Sequence, residues 1–343
     1  MGKTDNGNVA KKNPITKIQD LIGAKMFTLF VLFIAVVVIF TVWAALIGER
    51  FLSGLVFTTI GERLVLTSFL SVGSGFLMVS GKLDLSASTI GAFSSITAAA
   101  CMSYWGMPTG IAILIALAGS AFFGILNAVL VSEFNFAPFI GTMAMSSVVM
   151  GVAQRISASP HTGMPMTVSF SNSITTWIAN GRILGMPAML LLALLVFIFY
   201  GLVLAKTRFG MNVYLVGGNP QAAQLCGISP RKMTYILFAN SGFLAGIAGV
   251  IFMSRNAYGD FNAMSGNQFT GLTAAILGGV SFGGGAGNMG GVFMGLMVLS
   301  TFDMGTTIVR FSNYWTTVLT GVLLLFALTL DYYNARRVLK SLK

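Results

Sequence analysis

The chain has 343 residues, of which 8% are Asp, Glu, Lys or Arg and 55% are apolar, whereas a soluble domain carries about 25% charge. So little charge cannot cover a water-facing surface, which excludes a soluble enzyme and makes lipid the expected solvent. The net charge of +11 would point to nucleic acid in a soluble protein, but here the basic residues gather at both ends and in one loop, as topology signals do, so no nucleic-acid partner is expected.

The first 25 residues form a polar, basic tail with Lys3, Lys11, Lys12, Lys17 and Lys25. The apolar run that follows, Met26 to Leu46, is too long for the apolar region of a cleaved signal, about 7–15 residues, and reads as a first span. Runs free of charge then predict the rest, at about 20 residues per crossing. The expected spans are 27–47, 64–80, 86–105, 111–131, 138–154, 187–205, 233–254, 268–281, 290–308 and 314–332. The fold class is therefore an all-α integral membrane protein of about ten transmembrane helices. Its membrane domain is 26–333, between a tail at 1–25 and a tail at 334–343.

Orientation comes from Lys and Arg. The N-terminal tail, the 206–232 segment (Lys206, Arg208, Arg231, Lys232) and the C-terminal tail (Arg336, Arg337, Lys340, Lys343) hold thirteen of the twenty basic residues. An even number of spans puts all three on one side, which the positive-inside rule assigns to the cytoplasm together with both termini. The opposite face carries Arg50, Arg63, Arg155, Arg182, Arg255 and Arg310 and a long loop at about 155–186. Arg50, Arg155 and Arg255 are the candidates for docking an external protein, with anchoring of helix ends at the headgroups as the alternative.

Few residues offer chemistry. The lone histidine, His161, lies in the long external loop, and no nucleophile–base constellation or paired carboxylates are visible, so no enzyme site is expected. Cys101 and Cys226 lie far apart, without disulfide or metal spacing. No phosphate-binding G-x-x-x-x-G-K-[ST] is present, so the chain itself binds no ATP. Gly285 to Gly290 fits G-x-G-x-x-G, but it lies between two apolar helices rather than after a strand, which removes the dinucleotide reading. Nine glycines lie between Gly278 and Gly295. They predict close helix packing, an unwound segment beside a transport path, or both.

In the 206–232 segment Asn219 is a plausible N-cap, Pro220 a first helical residue and Gly227 a C-terminal cap. A short helix over 221–226 in a cytoplasmic loop suits docking to a soluble partner, or is an ordinary linker. The candidate solute path comprises Asp84, Ser86, Asn288 and Asp303. A carboxylate such as Asp303 deep in a span should face protein or a watery cavity; the alternatives are a pair with Arg310 on the same helix face or a neutral acid.

The run Gly210 to Ile228 resembles the cytoplasmic loop of ribose-type (monosaccharide) ABC transporter permeases, with its Gly-Gly-Asn, paired alanines and Gly-Ile. Gly81-Lys82-Leu83-Asp84-Leu85-Ser86 resembles that family's Gly-x-Asp-Leu-Ser segment. Pro138-Phe139-Ile140-Gly141-Thr142 resembles its Pro-Phe-Ile-x-Thr, and Gly278-Gly279-Val280-Ser281-Phe282-Gly283-Gly284 its Gly-Gly-x-Ser-x-x-Gly-Gly. The resemblance implies a permease subunit of a bacterial inner membrane, paired with a second copy or paralogue. It implies a cytoplasmic ATPase holding ATP and magnesium, an extracytoplasmic solute-binding protein, and a monosaccharide or similar polar solute moved by alternating access along the dimer axis. Gly217, Gly218, Asn219, Ala222, Ala223 and Gly227 would then form the ATPase-coupling loop. The chain departs from the family at Lys82, at Gln268-Phe269-Thr270 where an acid is usual, and at Phe302-Asp303 where Asn-Gly is common. A nucleoside or other small solute stays open, as does, less favoured, an ion-coupled secondary transporter.

Overall fold

Long apolar runs in lipid must satisfy their backbone polar groups within each run, which a helix does. A computed structural model of the chain describes residues 24–312, except 160, 161 and 184, and scattered helical positions between 314 and 329. In chain order the described helices are α1 (Ala24–Leu46), α2 (Gly54–Val79), α3 (Ala87–Ser103), α4 (Thr109–Ser132), α5 (Pro138–Ser157), α6 (Ser173–Asn180), α7 (Ala188–Lys206), α8 (Arg208–Gly218), α9 (Pro220–Leu225), α10 (Pro230–Asn256), α11 (Asn267–Leu277) and α12 (Met289–Ile308). Strands are two residues each: β1 (Val168–Ser169) pairs antiparallel with β4 (Tyr258–Gly259), and β2 (Arg182–Ile183) with β3 (Met186–Pro187).

Seven of these helices, α1, α2, α4, α5, α7, α10 and α12, are long and apolar enough to cross a membrane. α3 has 17 residues and α11 only 11, so α11 rises about 16 Å and covers half a bilayer. The eighth expected span, 268–281, is thus a broken helix, with residues 278–288 continuing as irregular backbone. The second span also differs: α2 starts at Gly54, where Ser53 caps it by accepting from the Val56 amide at 3.3 Å. That places Glu62 and Arg63 inside the helix instead of at its edge. Most of the tenth expected span, His161 and most of both tails lie outside the described residues.

α10 is the centre of the packing, and small residues make that possible. A Cβ at Gly242 would overlap the Ser120 carbonyl on α4, and one at Gly249 the Gly91 carbonyl on α3. Close backbone approach is the means by which helices associate in lipid, where apolar area gives little preference for protein over tails. Ser94 of α3 donates to the Gly246 carbonyl at 2.8 Å across the same contact. Phe69, Phe76, Leu70 and Leu77 of α2 are buried in the same core, whereas α1 packs with α12 in a smaller cluster around Phe40 and Phe51.

Candidate functional site

Two ends of the helix assembly carry different chemistry. At the end bearing the 206–232 segment, Thr207 caps α8 and Asn219 caps α9, its Oδ1 accepting from the Ala222 amide at 2.9 Å. Gly227 closes α9 at φ 79°. Its amide donates to the Gln224 carbonyl and that of Ile228 to the Ala223 carbonyl, both at 3.0 Å, a left-handed stop that favours glycine. The helix expected at 221–226 is present as α9; α8 was not anticipated, although Thr207 three residues before Gly210 was its signal.

α8 and α9 are fastened to the broken helix. The Gly285 amide donates to the Val79 carbonyl at 2.8 Å, and the Tyr214 hydroxyl to the Gly287 carbonyl at 2.5 Å. A Cβ at Gly217 would overlap the Val79 carbonyl oxygen, and one at Gly284 would lie 2.8 Å from the Gly217 oxygen. The end of α2, the end of α8 and the glycine loop therefore meet backbone to backbone. The nine glycines both pack closely and unwind the helix: Gly278, Gly291 and Gly295 pack closely, while Gly279, Gly284, Gly285 and Gly287 have positive φ in the unwound stretch. Ala223 corrects the surface expected for α9. It is buried against its own chain, whereas Gln221, Ala222, Gln224 and Leu225 point outward, with Leu225 89% exposed.

The four residues proposed for the solute path are not brought together. Asp84 is fully buried: Oδ1 accepts from the Ser86 amide (2.9 Å) and hydroxyl (2.6 Å), and Oδ2 from Ser241 of α10 at 2.9 Å. Asn127 of α4 donates to the Ser86 hydroxyl at 2.7 Å, and the Leu85 amide to Thr142 of α5 at 3.1 Å. Burial pushes the Asp84 carboxyl above its usual range, opposed by the bonds from Ser86 and Ser241. Residues 84–86 thus join α3, α4, α5 and α10 through a buried polar network, in which the Asn127 Oδ1 alone is left without a protein partner. Asn288 caps α12, its Oδ1 accepting from the Gly291 amide at 2.7 Å. It stands fifteen residues, about 22 Å, from Asp303 along that helix.

Asp303 lies at the far end, in an ion pair with Arg63 of α2. Arg310, the partner in the alternative reading, binds Glu49 at 2.9 Å instead, because α2 brings Arg63 directly alongside α12. The pair lines a cavity of about 290 Å³ with Leu66, Thr67, Asn267, Thr270, Leu299, Ser300 and Phe302. The docking candidates Arg50, Arg155 and Arg255 are all exposed, and Arg255 is tied to Glu62 at 2.5 Å. None of the other cavity residues was anticipated. The missed signal was Arg63: read as part of a helix starting at Ser53–Gly54, it is an intramembrane charge in need of a partner.

Multiple spans around a broken helix, with a capped helix pair projecting from one end, define a polytopic membrane transport subunit. Residues 62–328 match the family model described as "Branched-chain amino acid transport system / permease component", and the chain belongs to that family. It is 30% identical to the L-arabinose ABC transporter permease protein AraH of Azospirillum brasilense, over 77% of each chain. It is 28% identical to the ribose import permease protein RbsC of Bacillus subtilis, over 88% of this chain and 90% of that one. It is 29% identical to the probable ABC transporter permease protein YphD of Escherichia coli, over 77% of this chain and 78% of that one. No solved structure matches. The resemblance to ribose-type permeases therefore holds, and the protein is a multi-pass permease of the bacterial inner membrane.

Proposed function

We propose that this chain is the translocating subunit of a binding-protein-dependent importer for a monosaccharide. It would work by alternating access, driven by ATP hydrolysis with magnesium on a separate cytoplasmic ATPase. The observation that carries the reading is α9: a helix capped at both ends, bearing an almost fully exposed Leu225, and fastened through α8 to the glycine loop. An exposed leucine on a rigid projection is the kind of anchor that fills a pocket in a partner. Movement of that partner would reach the broken helix through the Gly217, Gly218 and Tyr214 contacts. A sugar is favoured because similar chains are named for ribose and arabinose import. In this reading there are ten spans, both termini and the 206–232 segment face the cytoplasm, and a second permease copy completes the pathway. Arg50 and Arg155 at the far end are the free basic contacts for an external solute-binding protein. An ion-coupled carrier is disfavoured because Asp84 is held by Ser86 and Ser241 and Asp303 is paired with Arg63.

The test is Leu225→Asp in the chain co-expressed with its proposed cytoplasmic ATPase. The variant should insert and stay folded, since Leu225 touches little of its own chain, yet fail to retain the ATPase on purification. Retention equal to that of the unaltered protein would make α9 a mere linker.

A further inference from the structure

We infer that the cavity between α2, α11 and α12 is a solute subsite that takes a single neutral, polyhydroxylated ring. This rests on the importer reading and assigns it a place and a chemistry. The cavity's volume, about 290 Å³, is at the lower limit of ligand pockets, roughly 300–1,000 Å³, which matches a single sugar ring. Its polar groups come from three helices: Arg63 and Thr67 from α2, Asn267 and Thr270 from α11, Ser300 and Asp303 from α12. Phe302 offers an apolar surface for the C–H face of a ring and is held edge-on against Phe40, with centroids 5.6 Å apart.

The ion pair decides between classes of solute. Arg63 and Asp303 already neutralise each other by direct contact. An amino-acid zwitterion would bring two further charges to a cavity whose charged lining residues, Arg63 and Asp303, are already paired with each other. A vicinal diol brings none. The second Asp303 oxygen accepts one hydroxyl and a remaining guanidinium N–H donates to the next. The two side chains are 37% and 44% exposed, so both are reachable from the cavity mouth.

A second observation points the same way. Arg63, Thr67, Ser71 and Ser74 share one face of α2 by helical spacing. Below the cavity the Ser71 and Ser74 hydroxyls are buried without a hydrogen-bond partner, whereas neighbouring Ser68 donates to the Leu64 carbonyl at 2.6 Å. Gly271 of α11 faces them, its absent Cβ lying 3.5 Å from the Ser74 oxygen. Unpaired buried hydroxyls are costly. Two of them in line continue the polar face of α2 beyond the cavity lining, toward the end of the helix that meets the glycine loop.

The experiment uses the full-length permease in nanodiscs with its ATPase, probed by saturation-transfer NMR with ribose, arabinose, galactose and leucine. Thr67→Val combined with Thr270→Val removes two hydroxyls, keeps shape and leaves the ion pair intact. At least one sugar should bind, leucine should not, and the double variant should weaken sugar binding about 3- to 30-fold, the loss of one or two hydrogen bonds. Asp303→Asn, which keeps the acceptor oxygen but removes the charge, should shift the order of preference among the sugars. Absence of any sugar signal, leucine binding in its place, or sugar binding unchanged in both variants would overturn the subsite. ATPase retention, read on the same samples, separates the cases: its loss in the unaltered protein overturns the importer reading, whereas its presence without sugar binding overturns only the subsite.

Discussion

Gly217 and Gly227 belong to the same short segment and do different things. Gly227 sits at φ 79° with no heavy atom within 4 Å of a Cβ built there. Alanine at that position meets only backbone strain, about 1–2 kcal/mol. Gly217 has ordinary φ, but its Cβ would overlap the Val79 carbonyl, and Gly285 stands close on the other side. Backbone cannot swing aside as a flexible side chain can, so Gly217→Ala should cost more, about 3 kcal/mol or above. Thermal unfolding in detergent should therefore place Gly217→Ala clearly below Gly227→Ala; equal midpoints would mean that the junction of α2, α8 and the glycine loop is loose. The sequence shows Gly227 for what it is, because a capping glycine is a local matter. It does not show what Gly217 touches, since that partner lies more than a hundred residues away. Arg63 was obscure for a related reason: its meaning depends on Asp303, 240 residues along the chain.

At the scale of elements, hydropathy makes the long helices legible because crossing length and apolar run length are the same quantity. It misses the break after Leu277, since glycine is neither polar nor apolar enough to interrupt a run, and only φ reveals the unwinding. It also misses the first ten residues of α2, whose Glu62 and Arg63 resemble a span boundary until their partners are known. α2 is clamped at that end to two helices, by Glu62–Arg255 to α10 and by Arg63–Asp303 to α12. Arg255, though exposed, is thereby partnered within its own chain. A charge swap tests the clamp: Glu62→Arg and Arg255→Glu should each lower the unfolding midpoint, and the double variant should recover most of the loss. For a half-exposed pair the coupling should be about 0.5–1 kcal/mol. No recovery would return Arg255 to the docking set beside Arg50 and Arg155.

For the whole molecule the open quantity is sidedness, and the chain carries its own reporter. Of its two cysteines, Cys101 is buried within α3 and Cys226 is exposed beside the C-terminal cap of α9. Cys226 belongs to the 206–232 segment, whose four basic residues the positive-inside rule assigns to the cytoplasm. Lys82 falls on the same side, because Gly81 lies against the Gly217 and Gly283 carbonyls, so the junction adds a basic residue to the side already richest in them. Placing this end outside would set the projecting helix pair, the Leu225 anchor and the glycine loop away from any ATPase, and would leave Arg63, Asp303 and the cavity facing the cytoplasm. A membrane-impermeant maleimide should therefore leave right-side-out vesicles of the permease unlabelled and label inverted vesicles at Cys226 alone, with the signal lost in Cys226→Ser. Tags at the two termini should both be reached only in inverted vesicles, as an even number of spans requires. Labelling of Cys226 in intact cells would invert the protein and end the importer reading, whereas tags on opposite sides would leave the coupling end in place and remove the tenth span.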